Sequence, residues 1–251
     1  MEVGLDRLEH SVSDFYVERI SEGAIRVLVH TISAAPNSNV AFENQYLYHL
    51  LGSGVLILRH TVAATGTFPE WQEGIPMWLP KIGLQLKVQN ELRHFRWYGR
   101  GPFETYPDRK TGAKNGVFSG TVHEQYEPYL IPQDYGNKTD VRWATLTNDE
   151  GIGLLIMATP TTNLSVHHFS TDNLSRANYP FQLTPQDAIT LNIDHAVTGV
   201  GGTPVPTLQN YRVMPGVYDY VVCLRPFSEK EESPMELSKR RLPYLDGGIS
   251  R

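Results

Sequence analysis

The feature that most constrains this chain is a rhythm. Short runs with the two-residue period of a half-buried strand recur from end to end, each closed by residues that turn the backbone. Ile25-Arg26-Val27-Leu28-Val29-His30, Val55-Leu56-Ile57-Leu58, Leu84-Gln85-Leu86-Lys87-Val88, Val141-Arg142-Trp143-Ala144-Thr145-Leu146, Ile189-Thr190-Leu191-Asn192-Ile193 and residues 217–224 read as strands. Their β-branched and aromatic side chains pack well on a pleated surface. Between them, Ala35-Pro36-Asn37-Ser38-Asn39, Asn148-Asp149-Glu150-Gly151 and Met214-Pro215-Gly216 preset turns or tolerate positive φ. With 21 Gly and 17 Pro dispersed through 251 residues, no stretch before residue 228 holds apolar residues at helical spacing for three turns. The pattern predicts an all-β chain of antiparallel strands in two large facing sheets, because the strand number exceeds that of a seven-stranded sandwich.

A hydrophobic content of 40% supports a substantial core. The folded domain is expected over residues 1–227, and the charged segment 228–251 as a short helix or tail at the periphery. Lys and Arg total 22 against 27 Asp and Glu, a balance that recommends neither a nucleic-acid nor a membrane partner. The single cysteine, Cys223, lies in an apolar run and reads as a buried thiol, so no disulfide framework is expected. The N-terminal residues lack a signal-peptide pattern and no apolar run approaches bilayer length, which predicts a reducing, cytoplasmic setting.

The densest polar constellation is Gly99-Arg100-Gly101-Pro102-Phe103-Glu104-Thr105-Tyr106-Pro107-Asp108-Arg109. Read as chemistry, Glu104 and Asp108 are a carboxylate pair for acid–base work on a sugar. Read as structure, they are acids of a Pro-stiffened loop, paired to Arg109 and to backbone amides. Charged loop networks are commoner than sites, so the structural reading is preferred for Gly101, Pro102, Glu104, Tyr106, Pro107, Asp108 and Arg109.

Nine histidines invite a search for metal ligands, yet their spacing does not suit zinc, and adjacent His167 and His168 point to opposite faces of a strand. His195 is better placed for binding, at a strand end that feeds Gly199-Val200-Gly201-Gly202. That glycine run lacks the spacing of a dinucleotide or phosphate loop, and no cofactor or metal is expected. Trp71, Trp78, Trp97 and Trp143 are all chemically able to stack on a sugar, although a tryptophan in an all-β chain is more often core.

Three ordered motifs, Leu79-Pro80-Lys81-Ile82-Gly83, Trp97 to Arg109, and Tyr129-Leu130-Ile131-Pro132-Gln133-Asp134-Tyr135-Gly136-Asn137, are followed by Leu191-Asn192-Ile193-Asp194, Gly199-Val200-Gly201-Gly202 and Val217-Tyr218-Asp219-Tyr220. Together, over about Gly4 to Phe227, they closely resemble the small-chain domain of β-galactosidase, the last domain of the long family 2 glycoside hydrolases. The resemblance implies a β-supersandwich, the fold also used by galactose mutarotases. It places the catalytic glutamates elsewhere, on a (β/α)8 barrel whose alternating pattern this chain lacks. The implied partners are that barrel and its companion domains, with a β-galactoside at a shared site.

Two departures from the family pattern stand out. The family's domain opens with a motif like Arg-x-Pro-Thr-Asp-Asn-Asp, whereas this chain starts at Gly4-Leu5-Asp6-Arg7-Leu8, so the first strands of the sandwich are expected to be missing. In many members the loop after Gly-x-Gly-Gly carries a Trp that stacks on the sugar; here Thr203, Pro204, Val205 and Pro206 follow instead. The candidate substrate-binding set is therefore His195, Thr203, Pro204, Val205 and Pro206. Two alternatives stay open: a stand-alone carbohydrate-binding or aldose-1-epimerase-like protein that sets His195 or His167 beside Glu104 or another carboxylate, and an assembly module that forms homo-oligomers.

Overall fold

The structure, a computed structural model, describes residues 3–202, 205–241 and 243. β1 (Glu9–Ser21), β2 (Ala24–Ala34), β3 (Ala41–Leu51) and β4 (Leu56–Thr65) form an antiparallel meander. β13 (Val217–Ser228) pairs with β4, and the layer continues through β11 (Ile152–His167), β10 (Lys138–Thr147), β8 (His94–Gly101) and β9 (Lys114–Thr121). β11 belongs to two layers. Its first half pairs with β13, β10 follows it as far as Leu164, and residues 163–167 pair with β12 (Ile189–Val197), which pairs with β7 (Lys81–Val88). Register shifts against β10 mark where β11 passes from the long layer into the short one. A hairpin of β5 (Glu70–Gln72) and β6 (Ile75–Pro76) forms a separate two-stranded sheet.

The antiparallel sandwich expected from the strand rhythm is the observed fold, and the reason is visible in the burial. Phe42, Val62, Trp97, Ile156, Tyr220 and Val222 of the long layer face Leu164, Val166, Ile189, Leu191 and Ile193 of the short one. Each such side chain contributes about 1.5–3 kcal/mol on leaving water. β12 is buried on its other face too, at Thr190, Asn192 and Asp194, where the segment 168–187 bonds to it through Gln186. These polar groups are satisfied locally: Asn192 Nδ2 donates to Ser165 Oγ at 3.0 Å, Gln85 Nε2 to Asn192 Oδ1 at 2.8 Å, and Gln186 Nε2 to Thr190 Oγ1 at 2.9 Å. The Gln85 amide also reaches Thr171 of helix α1 (Thr171–Arg176), tying the cover to the sheet.

A second core lies on the outer face of the long layer, built from Val55, Ile57, Trp143, Leu155, Met157, Cys223 and Phe227. Leu237 of helix α2 (Pro234–Ser238) closes it, with Met235 packed alongside. The segment after residue 228 is thus not peripheral through its helix, because Met235 and Leu237, set among charged residues, cover apolar surface that would otherwise face water. Burial pushes the Cys223 thiol up to about 11, so it stays protonated at neutral pH.

Candidate functional site

The second and third motifs and the glycine-rich loop 199–202 meet around residues 104–109. Glu104 is buried and accepts from the Arg109 guanidinium, from the Tyr129 hydroxyl and from the Gly136 amide at 2.8 Å. The Arg109 contact is an ion pair that ties the two ends of the 104–109 loop together. Next to it, Thr105 N donates to Asn137 O at 2.7 Å and Asn137 Nδ2 returns to Thr105 O at 2.8 Å, zipping the second motif to the third.

Asp108 holds the glycine-rich loop. Its two carboxylate oxygens accept from Val200 N at 3.0 Å and Gly201 N at 2.7 Å. A Cβ on Gly199 would lie 2.4 Å from the Asp108 carboxyl carbon, so only glycine lets the loop approach its anchor. Gly201 has φ of 64°, the left-handed conformation that turns the second amide toward the same carboxylate. Both carboxylates of the constellation are therefore engaged by donors, and neither is paired with the other.

Beyond the glycines the loop is closed on itself. Gly202 N donates to Val205 O at 3.0 Å, Thr207 Oγ1 to Gly199 O at 2.7 Å, and Arg212 Nε to Thr207 O at 2.7 Å. Val205 and Pro206 are exposed, and the Val205 carbonyl is already taken by Gly202. Thr203 and Pro204 lie outside the described residues.

His195 belongs to a different cluster. Its ring stacks on Tyr220 with centroids 4.9 Å apart, and Tyr220 in turn meets His60, which stacks on Tyr46 at 4.3 Å. Hydrogen bonds thread the same row. The Asn44 amide nitrogen donates to Ser33 Oγ and to Phe42 O, so Asn44 Oδ1 accepts from His60 Nε2 at 3.0 Å. That leaves His60 Nδ1 to accept the Tyr220 hydroxyl at 2.8 Å. Burial holds the His60 imidazole down, to about 4.

His167 is in a third place, stacked on Tyr135 at 4.2 Å and donating to its carbonyl at 2.9 Å. Its neighbour Asp134 accepts from Lys81 at 3.1 Å, and Lys81 stands 3.5 Å from fully enclosed Asp194. Burial pushes the Asp194 carboxyl up to about 7 against the pull of Lys81. The Lys81 ammonium is lowered by its own burial, but Asp194 and Asp134 outweigh this and hold it above its ordinary range. The two directions conflict over how ionised the pair is; the loose 3.5 Å contact favours burial as the controlling effect on Asp194. Lys138 is also enclosed, over the Trp97 ring at 4.9 Å with Pro102 O at 3.4 Å, and burial lowers it to about 8. These groups carried no spacing signal, because their partners come from separate strands.

Among the described residues no group of three or more His, Cys, Asp or Glu is placed to hold a metal ion, and no helix is long and apolar enough to cross a membrane. Trp97 and Trp143 are core side chains, whereas Trp71 is half exposed on the β5–β6 hairpin. The converging loops expose apolar side chains: Phe103, Leu130 (90% exposed), Ile131, Val200, Val205 and Leu208.

Residues 2–224 match the family described as beta galactosidase small chain. The chain is 41% identical over 155 residues to a beta-galactosidase of Priestia megaterium, an alignment covering 62% of this chain and 14% of that protein. It is 28% identical over 228 residues to a beta-galactosidase of Photobacterium profundum, covering 89% of this chain and 20% of that one. The chain thus spans no more than a fifth of these relatives' length. Among solved structures, the galactose 1-epimerase of Lactobacillus acidophilus NCFM is similar with a TM-score of 0.45 and 10% identity, over 88% of this chain and 66% of that one.

Proposed function

Because this chain belongs to the β-galactosidase small-chain family, we propose that it is the non-catalytic C-terminal domain or small subunit of a retaining β-galactosidase. In this reading it packs on a catalytic barrel and closes one wall of the sugar site. The observation that carries it is the convergence of the loops 104–109, 129–137 and 199–202 through Glu104 and Asp108, with Phe103, Leu130, Ile131, Val200, Val205 and Leu208 left facing water. A cluster of solvent-facing apolar side chains on one set of locked loops is the surface expected of an interface. A retaining glycosidase needs a nucleophile and a general acid about 5 Å apart, and Glu104 and Asp108 are each committed to other donors. The epimerase-like alternative sets His195 or His167 beside Glu104 or another carboxylate; neither histidine stands in the Glu104 cluster, and the carboxylate near His167 is Asp134 at 3.7 Å.

The test is reconstitution. The chain is mixed with a barrel-bearing β-galactosidase fragment that lacks this domain, and association is followed by gel filtration and hydrolysis of a β-galactoside. A stable complex with activity that neither part has alone is expected. Hydrolysis by the chain alone, or failure to associate, overturns the reading. In the assembled enzyme, deletion of residues 203–206 raises KM if the loop lines the site; unchanged kinetics remove that part of the proposal.

A further inference from the structure

We propose that Trp71, Trp78 and Arg212 form a pyranose-binding subsite beside the 199–207 loop. The choice of a β-galactoside as its ligand rests on the reading above. The two indoles stand 5.1 Å apart at 52°, a tilted pair with Trp71 half open to solvent. Trp71 is presented from a closed hairpin: Gly74 N donates to the Glu70 carboxylate at 2.9 Å, and Met77 N to Pro69 O at 3.1 Å.

Arg212 supplies the polar half. Its guanidinium carbon lies 4.2 Å over the Trp78 ring, and its Nε is held by Thr207 O at 2.7 Å. Among the described residues its two terminal nitrogens have no hydrogen-bond acceptor and its charge no carboxylate. A planar cation fixed by a ring and a carbonyl, with its outer N–H groups open, is an unused fork. A fork of that kind suits two vicinal hydroxyls, while an open indole suits the C–H face of a sugar ring. Galactose has such a face, because its axial 4-hydroxyl leaves the hydrogens of C3, C4 and C5 together on the opposite side. Packing alone would not leave the pair this way, since Trp97 and Trp143 are each 2% exposed and Trp71 is 50% exposed.

The test is a titration of methyl β-D-galactopyranoside into the 15N-tryptophan-labelled chain, reading the indole N–H of Trp71, assigned with Trp71→Phe. A saturable shift is expected; followed at the neighbouring Trp78 indole N–H, Trp71→Ala weakens binding about tenfold and Trp71→Phe retains most of it. Arg212→Lys, which keeps the charge and loses the fork, also weakens binding. Sorbitol, with hydroxyls but no ring face, gives no saturable shift. A silent Trp71, an equal response to sorbitol, or unchanged affinity in both Trp71→Ala and Arg212→Lys overturns the subsite. Association with a barrel-bearing fragment while Trp71 stays silent defeats this inference alone. A saturable Trp71 response without association defeats the parent reading alone.

Discussion

At the scale of single residues, the Glu104 carboxylate concentrates the most consequence in the fewest atoms. Glu104→Gln keeps the shape but removes the carboxylate that Arg109 and Tyr129 serve, and is expected to cost about 1.5–3 kcal/mol in urea denaturation, no more because the Arg109 side chain is half exposed and screened by solvent. His60 acts on the acid side, together with His167, which burial lowers likewise. The folded pKa of His60, about 4, lies below the unfolded value of about 6.5, so its contribution is present above pH 6.5 and is lost as pH falls toward 4, by up to about 3 kcal/mol. His60→Gln, which can still accept from Tyr220 and donate to Asn44, should flatten stability over that window when urea midpoints are measured from pH 7 to 4. A slope unchanged from the parent chain would locate the acid sensitivity elsewhere.

At the scale of elements, the strands legible in the sequence were those whose apolar residues repeat with the strand period, such as β12 and β13. β1 escaped because it is exposed on both faces, with Val12, Phe15, Tyr16 and Val17 all open, so no alternation marks it. β3 escaped because Asn44 sits among its inward residues to serve His60. The motif around Glu104 and Asp108 was visible, but not what it grips: Tyr129 is 25 residues away and Gly201 is 93. Spacing along a chain does not report which distant amides a carboxylate meets. The Asp108 anchor makes a local prediction: Asp108→Ala frees Val200 and Gly201 N–H, so hydrogen exchange at residues 199–202 should rise by more than the global stability change explains. For α2, Leu237→Ala should cost about 2–5 kcal/mol despite the charged setting, read as a lowered urea midpoint.

At the scale of the whole molecule, the exposed apolar loops separate stability from association. Replacing Phe103, Leu130 and Ile131 together by Ser is expected to change the stability of the isolated chain by no more than about 0.5 kcal/mol per site while weakening reconstitution with the barrel fragment. β11 has a different kind of influence. One strand pairs with β13 through its first half, with β12 through its last residues and with β10 along most of its length. Neither layer can peel away without releasing a strand the other needs. The slowest-exchanging amides should run along β11 through both layers and vanish in a single event, and a chain nicked within β11 should lose both layers at once rather than fray from one edge.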